Sequence, residues 1–309
     1  MKIVMFGAGG VGGYFGGRLA QAGCDVSFVA RGSHLAAIER DGLRIVSPKG
    51  DAHVPSVRAS ADPADLGPAD VVFLTVKMYD VDAAAASLGP LLRPDTMVVT
   101  LQNGVEATDM VARHVGPARA AGGVAYVAAV IDAPGVIKHT ALDELIVGER
   151  DGTLSPRLVA LRDAASTAGF TFTASPQIRV DQWSKFARLS VFSGMTCVVR
   201  SPLGVLRADA GLFQMLERAV DEALAVGRAQ GVALGATVRD EVFAMYRSMP
   251  PQARSSMLED LERGKPLELP WLSGAAVRLG AEVGVPTPMH AMIETLLRPF
   301  VAGGTPPMR

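Results

Sequence analysis

The chain has 309 residues, 49% of them hydrophobic, with 30 basic and 31 acidic side chains. That is enough apolar material for one large core or two ordinary ones, and two domains is the expectation. A charge balance so near zero argues against a polyanion-binding surface, so nucleic acid is not an expected partner. The longest apolar runs, such as Ala120 to Ile131, are too short to cross a bilayer, so neither is a membrane. Cys24 and Cys197 are the only cysteines. They lack metal-ligand spacing and make no disulfide framework, and the opening MKIVMFGAGG does not read as a cleavable leader. The expectation is a soluble cytoplasmic protein without a metal.

Residues 2–6, KIVMF, read as a strand buried on both faces. A helix is expected from Gly10 to Ala22 and a second strand over 25–30, DVSFVA, which makes a βαβ unit of the size a dinucleotide half-domain takes. Seven glycines fall between positions 7 and 17. Gly7, Gly9 and Gly12 have the GxGxxG spacing: the first for the tight turn, the second to let a pyrophosphate approach the backbone, the third to let the helix pack close on the strand. The free amides at the helix start then face the phosphate charge. Gly13, Gly16 and Gly17 suit still closer helix packing or nicotinamide approach. A tight turn that holds no nucleotide is the plainer reading of the same spacing.

The end of the second strand indicates which nucleotide. An NAD site carries an acid there for the ribose 2′-hydroxyl, whereas an arginine suits the 2′-phosphate of NADP. Here the sequence is VARGSHL, with Arg31 at that position and Asp25 at the wrong end of the strand. NADP(H) is the expected cofactor; the alternative for Arg31 is a solvated loop charge.

ADVVFLTVK (69–77) and TMVVTLQNG (96–104) are again apolar strands running into polar residues, separated by the helix VDAAAASLGPLL. In an open parallel sheet the ligand lies outside the carboxyl ends of the strands, so Lys77 and Asn103 are expected beside the glycine loop. Their plain readings are a lysine in solvent and an Asn-Gly turn. Residues 119–148 read as three strands with turns at DAPG and ALDE, followed by a helix (SPRLVALRDAASTAG) and a strand (FTFTA). From Pro176 the pattern is helical. The expected fold is α/β, an N-terminal Rossmann-type doubly wound sheet over 1–175 followed by an all-α domain over 176–309. Within the latter, 182–207 reads as one densely apolar helix with Lys185 and Arg188 near its start. Residues 255–280 read as a helix, a Gly-Lys-Pro break and a second helix from about Pro270. By pattern alone, a lysine and a glutamate on such helices are solvated or helix-start charges.

The order of KIVMFGAGGVGG, TVK, LQNG, GVIKHT, WSKFA, SSMLEDLERGKPLELPWLSG and GVPTP resembles the ketopantoate reductase (2-dehydropantoate 2-reductase) family over essentially the whole chain. The resemblance implies an NADPH-dependent reductase that turns a 2-oxo acid into a 2-hydroxy acid, ketopantoate into pantoate, in pantothenate and coenzyme A biosynthesis. The family's lysine general acid falls on Lys185 and its glutamate on Glu268. Its substrate-binding serine falls on Ser256, and its cofactor and active-site lysine and asparagine on Lys77 and Asn103. These residue types suit the chemistry: an ammonium polarises a ketone and protonates the alkoxide left by hydride transfer, and a nearby carboxylate keeps that ammonium charged.

The chain also departs from the family pattern. Many members carry asparagines one and two turns after the lysine and three residues before the serine; here these are Leu189, Ser193 and Ala253. The pocket is expected to be less polar, with Ser193 as the replacement for a lost amide. A paralogous NADPH reductase of another branched 2-oxo acid and a non-catalytic NADP-binding regulatory protein are the alternative readings, and a homodimer is compatible with the apolar C-terminal helices.

Overall fold

The computed structural model describes residues 1–304; the last five residues of the expected second domain, 305–309, lie outside them. The chain divides into two compact units. The first comprises Met1–Gln102 and Glu106–Ile178, and the second Asn103–Val105 together with the chain from Arg179 onward.

The first unit runs β1 (Lys2–Phe6), α1 (Gly10–Gln21), β2 (Asp25–Val29), α2 (Gly32–Asp41), β3 (Leu43–Val46), β4 (Ala52–Val54), β5 (Arg58–Ser60), β6 (Val71–Leu74), α3 (Val81–Ala86), β7 (Met97–Thr100), α4 (Ala107–Val115), β8 (Ala120–Ala133), β9 (Val136–Glu149), α5 (Pro156–Ala165) and β10 (Thr171–Ala174). One ten-stranded sheet has the order β4-β3-β9-β8-β7-β6-β1-β2-β5, with β10 beside β9. Strands β5-β2-β1-β6-β7-β8 are all parallel to their neighbours. The chain winds outward from β1 in one direction and from β6 in the other, which makes the gap between them the topological switch point where doubly wound sheets take ligands. Val71–Leu74 and Met97–Thr100 are buried throughout, as central parallel strands covered on both faces must be.

The glycines of α1 set its distance from the sheet. A Cβ at Gly10 would lie 2.0 Å from the Ala129 carbonyl oxygen, and one at Gly13 2.6 Å from Ile137. At Gly16 a Cβ would meet Met5 and Phe28, and at Gly17 Ile45 at 2.7 Å. The helix therefore rests on the β8–β9 hairpin along one side and on β1, β2 and β3 along the other.

Three local readings of the sequence are corrected. Residues 119–148 form two long strands rather than three, joined at Pro134-Gly135. ALDE is a bulge inside β9: Val127 pairs with Asp143 and Ala128 with Ala141, so Leu142 is the extra residue, at φ 61°. The chain between 32 and 60, to which no element was assigned, contributes α2 and three short strands of three or four residues, too brief to show a period.

The second unit is helical: α6 (Ile178–Val199), α7 (Leu203–Ala208), α8 (Ala210–Ala229), α9 (Val238–Ser248), α10 (Ser256–Glu262), α11 (Ser273–Glu282) and α12 (Pro288–Leu297). The single helix expected over 182–207 is broken where Arg200 takes φ 53° and Pro202 follows, since proline cannot continue a helix. Trp183, Phe186, Val191 and Met195 of α6 join Leu216, Val220 and Leu224 of α8 and Phe243 and Tyr246 of α9 in one core.

Gly10→Ala should force the helix off the hairpin, because the obstructing atom is backbone. We expect a loss of about 1–3 kcal/mol, read as a lower urea midpoint by circular dichroism. Gly9→Ala, where a Cβ meets nothing within 4 Å, should stay within about 0.5 kcal/mol of the unaltered protein.

Candidate functional site

At the switch point of the first unit, β1 ends in a loop held by backbone and one threonine. Gly7 has φ 115°, a value that L side chains rarely adopt. Its N–H donates to the Val29 carbonyl at 3.1 Å. From the end of β6, the Thr75 hydroxyl reaches the Gly7 carbonyl at 2.7 Å and the Phe6 carbonyl at 3.2 Å. A Cβ at Gly12 would sit 2.0 Å from the Gly7 oxygen and 2.4 Å from Thr75 Oγ1. Gly9, by contrast, borders open space. The first turn of α1 holds no acid, and no side chain caps it, so its orphan N–H groups and the positive end of the helix dipole are available to an anion. Bare backbone with open space beside it fits a pyrophosphate.

Arg31 lies just beyond β2 at the N-cap of α2 and is exposed. Lys77 follows β6 at the head of a 3₁₀ turn and is partly buried. Beside it, Gln102 Nε2 donates to the carbonyls of Leu74 and Val76, at 2.8 and 3.1 Å, and so braces the segment that presents Lys77.

In the second unit, α6 carries Lys185 and, one turn on, Arg188. Arg188 is buried, and its carbonyl accepts a 2.6 Å bond from the Tyr246 hydroxyl. Lys185 is partly buried. Burial of its ammonium, aided by the nearby Arg188 charge and opposed by the Glu268 carboxylate, brings its pKa down from 10.5 to about 7. Glu268 is 6% exposed and precedes the 3₁₀ turn Leu269–Trp271. Lys185 and Glu268 are thus brought together electrostatically from positions 83 residues apart in the chain.

Asn103 groups with this second unit. Gly104, at φ 100°, lies so close to Trp271 that a Cβ would be 2.9 Å from its carbonyl oxygen. The Trp271 N–H in turn donates to the Glu268 carbonyl at 3.0 Å. The Asn-Gly pair therefore serves a close approach to the segment that carries Glu268.

The two adjacent serines divide their work. Ser255 is buried, caps α10 by accepting from Leu258 N–H at 3.0 Å, and shares a 2.8 Å hydrogen bond with Thr196 of α6. Ser256 is exposed at the first position of α10. Ser255 thus ties the start of α10 to α6 at Thr196, one turn after Ser193. Ser193 itself is buried, and Leu189 and Ala253 are partly buried against the core. Thr75 and Gln102 were missed by the sequence reading, although Thr75 belongs to the TVK that marked the strand end. Arg188 was noticed but given no role. Among the described residues, no group of three or more His, Cys, Asp or Glu is arranged to hold a metal ion, and no helix is long and apolar enough to cross a membrane.

The family model described as "Ketopantoate reductase PanE/ApbA" matches residues 3–152, and its C-terminal counterpart matches residues 177–301. The chain belongs to the ketopantoate reductase family. Its members are oxidoreductases acting on CH–OH groups. A 2-dehydropantoate 2-reductase of Mesorhizobium japonicum is 35% identical, with 96% of this chain and 97% of that protein covered. The crystal structure of a PanE/ApbA family ketopantoate reductase from Ralstonia eutropha JMP134 is similar at a TM-score of 0.89 and 33% identity, over 97% of this chain and 98% of that one. That of 2-dehydropantoate 2-reductase from Geobacter metallireducens GS-15 is similar at a TM-score of 0.91 and 28% identity, over 97% and 99%.

Between about pH 7 and 10.5 the unfolded chain holds the Lys185 proton while the folded protein has shed it. The contribution of this group to stability therefore rises with pH across that window. Lys185→Met should remove the rise: the melting temperature of the variant relative to the unaltered protein should be highest at pH 7 and fall toward pH 9.5.

Proposed function

We propose that this protein reduces 2-dehydropantoate (ketopantoate) to pantoate with NADPH. The observation that carries this reading is the buried Lys185 ammonium, brought to about pH 7 beside Glu268, in a chain of the ketopantoate reductase family. The names of the similar reductases from Mesorhizobium japonicum and Geobacter metallireducens support the substrate. In this reading the enzyme works on a small-molecule acid in the cytoplasm, as a monomer or homodimer, within pantothenate and coenzyme A biosynthesis.

Gly7, Gly9 and Gly12 and the first turn of α1 would hold the pyrophosphate, Arg31 the 2′-phosphate, and Lys77 and Asn103 the rest of the cofactor and the reacting end of the substrate. NADPH supplies a hydride to C2 of the 2-oxo acid when bound. Lys185 donates a hydrogen bond to the ketone oxygen and then gives that oxygen its proton, so the ketone becomes a secondary alcohol. A pKa near the working pH suits a group that must release one proton and regain another in each turnover. The Glu268 carboxylate favours the charged form of the lysine against burial and the Arg188 charge. The Ser256 hydroxyl, exposed at the head of α10, donates to the substrate carboxylate, and Asn103 supplies an amide to the same ligand.

The turnover test has three arms. The unaltered protein should oxidise NADPH in the presence of ketopantoate. Lys185→Ala should lower kcat by about 100-fold or more while NADPH still binds; unchanged turnover would remove the general-acid role. Arg31→Ala should abolish most of the preference for NADPH over NADH, and equal affinity for both in the unaltered protein would overturn the cofactor assignment.

Leu189 and Ala253, where many family members have asparagine, favour a second reading in which another branched 2-oxo acid is the better substrate. An apolar pocket discriminates weakly against the loss of a hydroxyl. The ratio of kcat/KM for ketopantoate to that for 2-oxo-3,3-dimethylbutanoate, measured at saturating NADPH, should therefore lie below about tenfold. A much larger ratio would show that Ser193 or another group restores the polar contact.

A further inference from the structure

His34, in the first turn of α2, has no part in the chemistry above, yet it is bonded on both ring nitrogens. Nε2 is 2.8 Å from the carbonyl oxygen of Ala8, in the middle of the glycine loop, and Nδ1 accepts the N–H of Gly135 at 3.0 Å. A carbonyl can only accept and a backbone N–H can only donate, so the proton must be on Nε2 and the ring must be neutral. The segments it joins are 26 and 101 residues away in the chain. One of them, the Pro134-Gly135 turn, closes the hairpin on which α1 rests.

The contact with Ala8 decides where a neighbouring donor points. In a trans peptide the C=O and the following N–H are antiparallel. Holding the Ala8 carbonyl toward His34 therefore turns the Gly9 N–H the other way, at a residue beside which a Cβ would find no atom within 4 Å. We infer that His34 is a positioning residue for the dinucleotide: as a neutral imidazole anchored by Gly135 it holds the Ala8–Gly9 peptide with its N–H toward the bound phosphate, and on protonation it loses that anchor and shifts the peptide with it. The inference rests on the proposed nucleotide site. A protonated ring still donates to the Ala8 carbonyl but turns a second donor toward the Gly135 N–H, so the Gly135 end of the bridge breaks and the ring no longer sits where the neutral form holds it. Burial accordingly lowers the pKa of His34 below 6.5, partly offset by the bond to Ala8.

α2 carries Arg31 at its start and Glu39, Arg40 and Asp41 at its far end; the closed end of the hairpin carries Asp132 and Lys138, all six exposed; β3 carries Arg44, whose backbone N–H donates to the Gly135 carbonyl at 2.9 Å, and β5 carries Arg58. His53, bonded to the Asp41 carbonyl at the other end of α2, and His139 of the hairpin, bonded to Ser47 and to the Leu142 carbonyl, are the imidazoles to control for.

The test is calorimetric titration with oxidised NADP, which tolerates acid, at pH 7.5 and pH 5.5. The unaltered protein should lose several-fold more affinity on acidification than His34→Gln, whose amide can serve both partners but does not titrate; the 2′-phosphate contributes equally to both proteins. At pH 7.5 His34→Gln should bind within about twofold of the unaltered protein and His34→Leu about fivefold more weakly, the range of one lost hydrogen bond. His53→Gln should leave the pH profile as it was. A direct check needs no variant: nitrogen-15 imidazole shifts at pH 7.5 should show the Nε2–H tautomer at His34. Equal pH profiles for the unaltered protein and His34→Gln, or an Nδ1–H tautomer, would overturn the inference while leaving nucleotide binding intact. Failure of the unaltered protein to bind either NADP or NAD at pH 7.5 would overturn the nucleotide site and the inference together.

Discussion

The Gly7 carbonyl is where the first unit has no room to spare. It accepts from Thr75 on one side and borders the backbone of Gly12 on the other, so tightly that a methyl group at position 12 would overlap it. That contact brings the start of α1 onto the end of β1 and directs the first amides of the helix into the space beside Gly9. The spacing propagates: the same helix meets the β8–β9 hairpin at Gly10 and Gly13 and the strands at Gly16 and Gly17. Glycine is unfavourable in a helix interior by about 1 kcal/mol relative to alanine. Four or more of them in one helix are tolerated because the close packing they permit replaces what propensity loses.

The second unit is organised around a different problem, the placing of charge inside a helical core. A buried lysine is expensive unless a counter-charge stands near it, and removing one partner of such a pair leaves the other uncompensated. Burial and the Arg188 charge both oppose the charged lysine and together outweigh Glu268, so the pKa of the ammonium ends at about 7 rather than at its ordinary value. An arginine cannot relieve the strain by deprotonating, which leaves Lys185 as the group that yields. The surrounding framework is fixed by neutral hydrogen bonds: Tyr246 to the Arg188 carbonyl, Ser255 to Thr196, and Trp271 to the Glu268 carbonyl. The first two join helices that are distant in sequence and the third closes the turn after Glu268, and together they hold the charged side chains without adding further charge.

What was legible in the sequence is what a short stretch of chain imposes on itself. The apolar KIVMF, the glycine spacing after it and the strand that follows specify β1, the loop and α1 because both the strand pattern and the need for bare backbone are local. Helices after Pro176 were legible for the same reason. The exposed Leu142 and the break at Arg200 were not, because a residue other than glycine in the left-handed region leaves no compositional mark; it is held there by the pairing of β8 with β9, or by the proline two positions on. Nor did any local pattern separate Ser255 from Ser256. Their difference in role follows from which of them meets Thr196, 59 residues back.

By itself, then, the sequence determined an alternating α/β half, a helical half and a glycine-rich loop between the first strand and helix, since periodicity and backbone freedom are properties of neighbouring residues. Its ordered motifs also carried the resemblance to a reductase family. The tertiary structure alone decided that β6 lies beside β1, and so that Thr75 reaches Gly7, and that the Pro134-Gly135 turn comes to His34; the meeting of Lys185 with Glu268, which the resemblance implied, depends on the same packing. These are meetings of groups between 68 and 101 residues apart. They depend on strand order and helix packing, which arise when the whole chain buries its apolar faces at once, and no window of sequence contains that information.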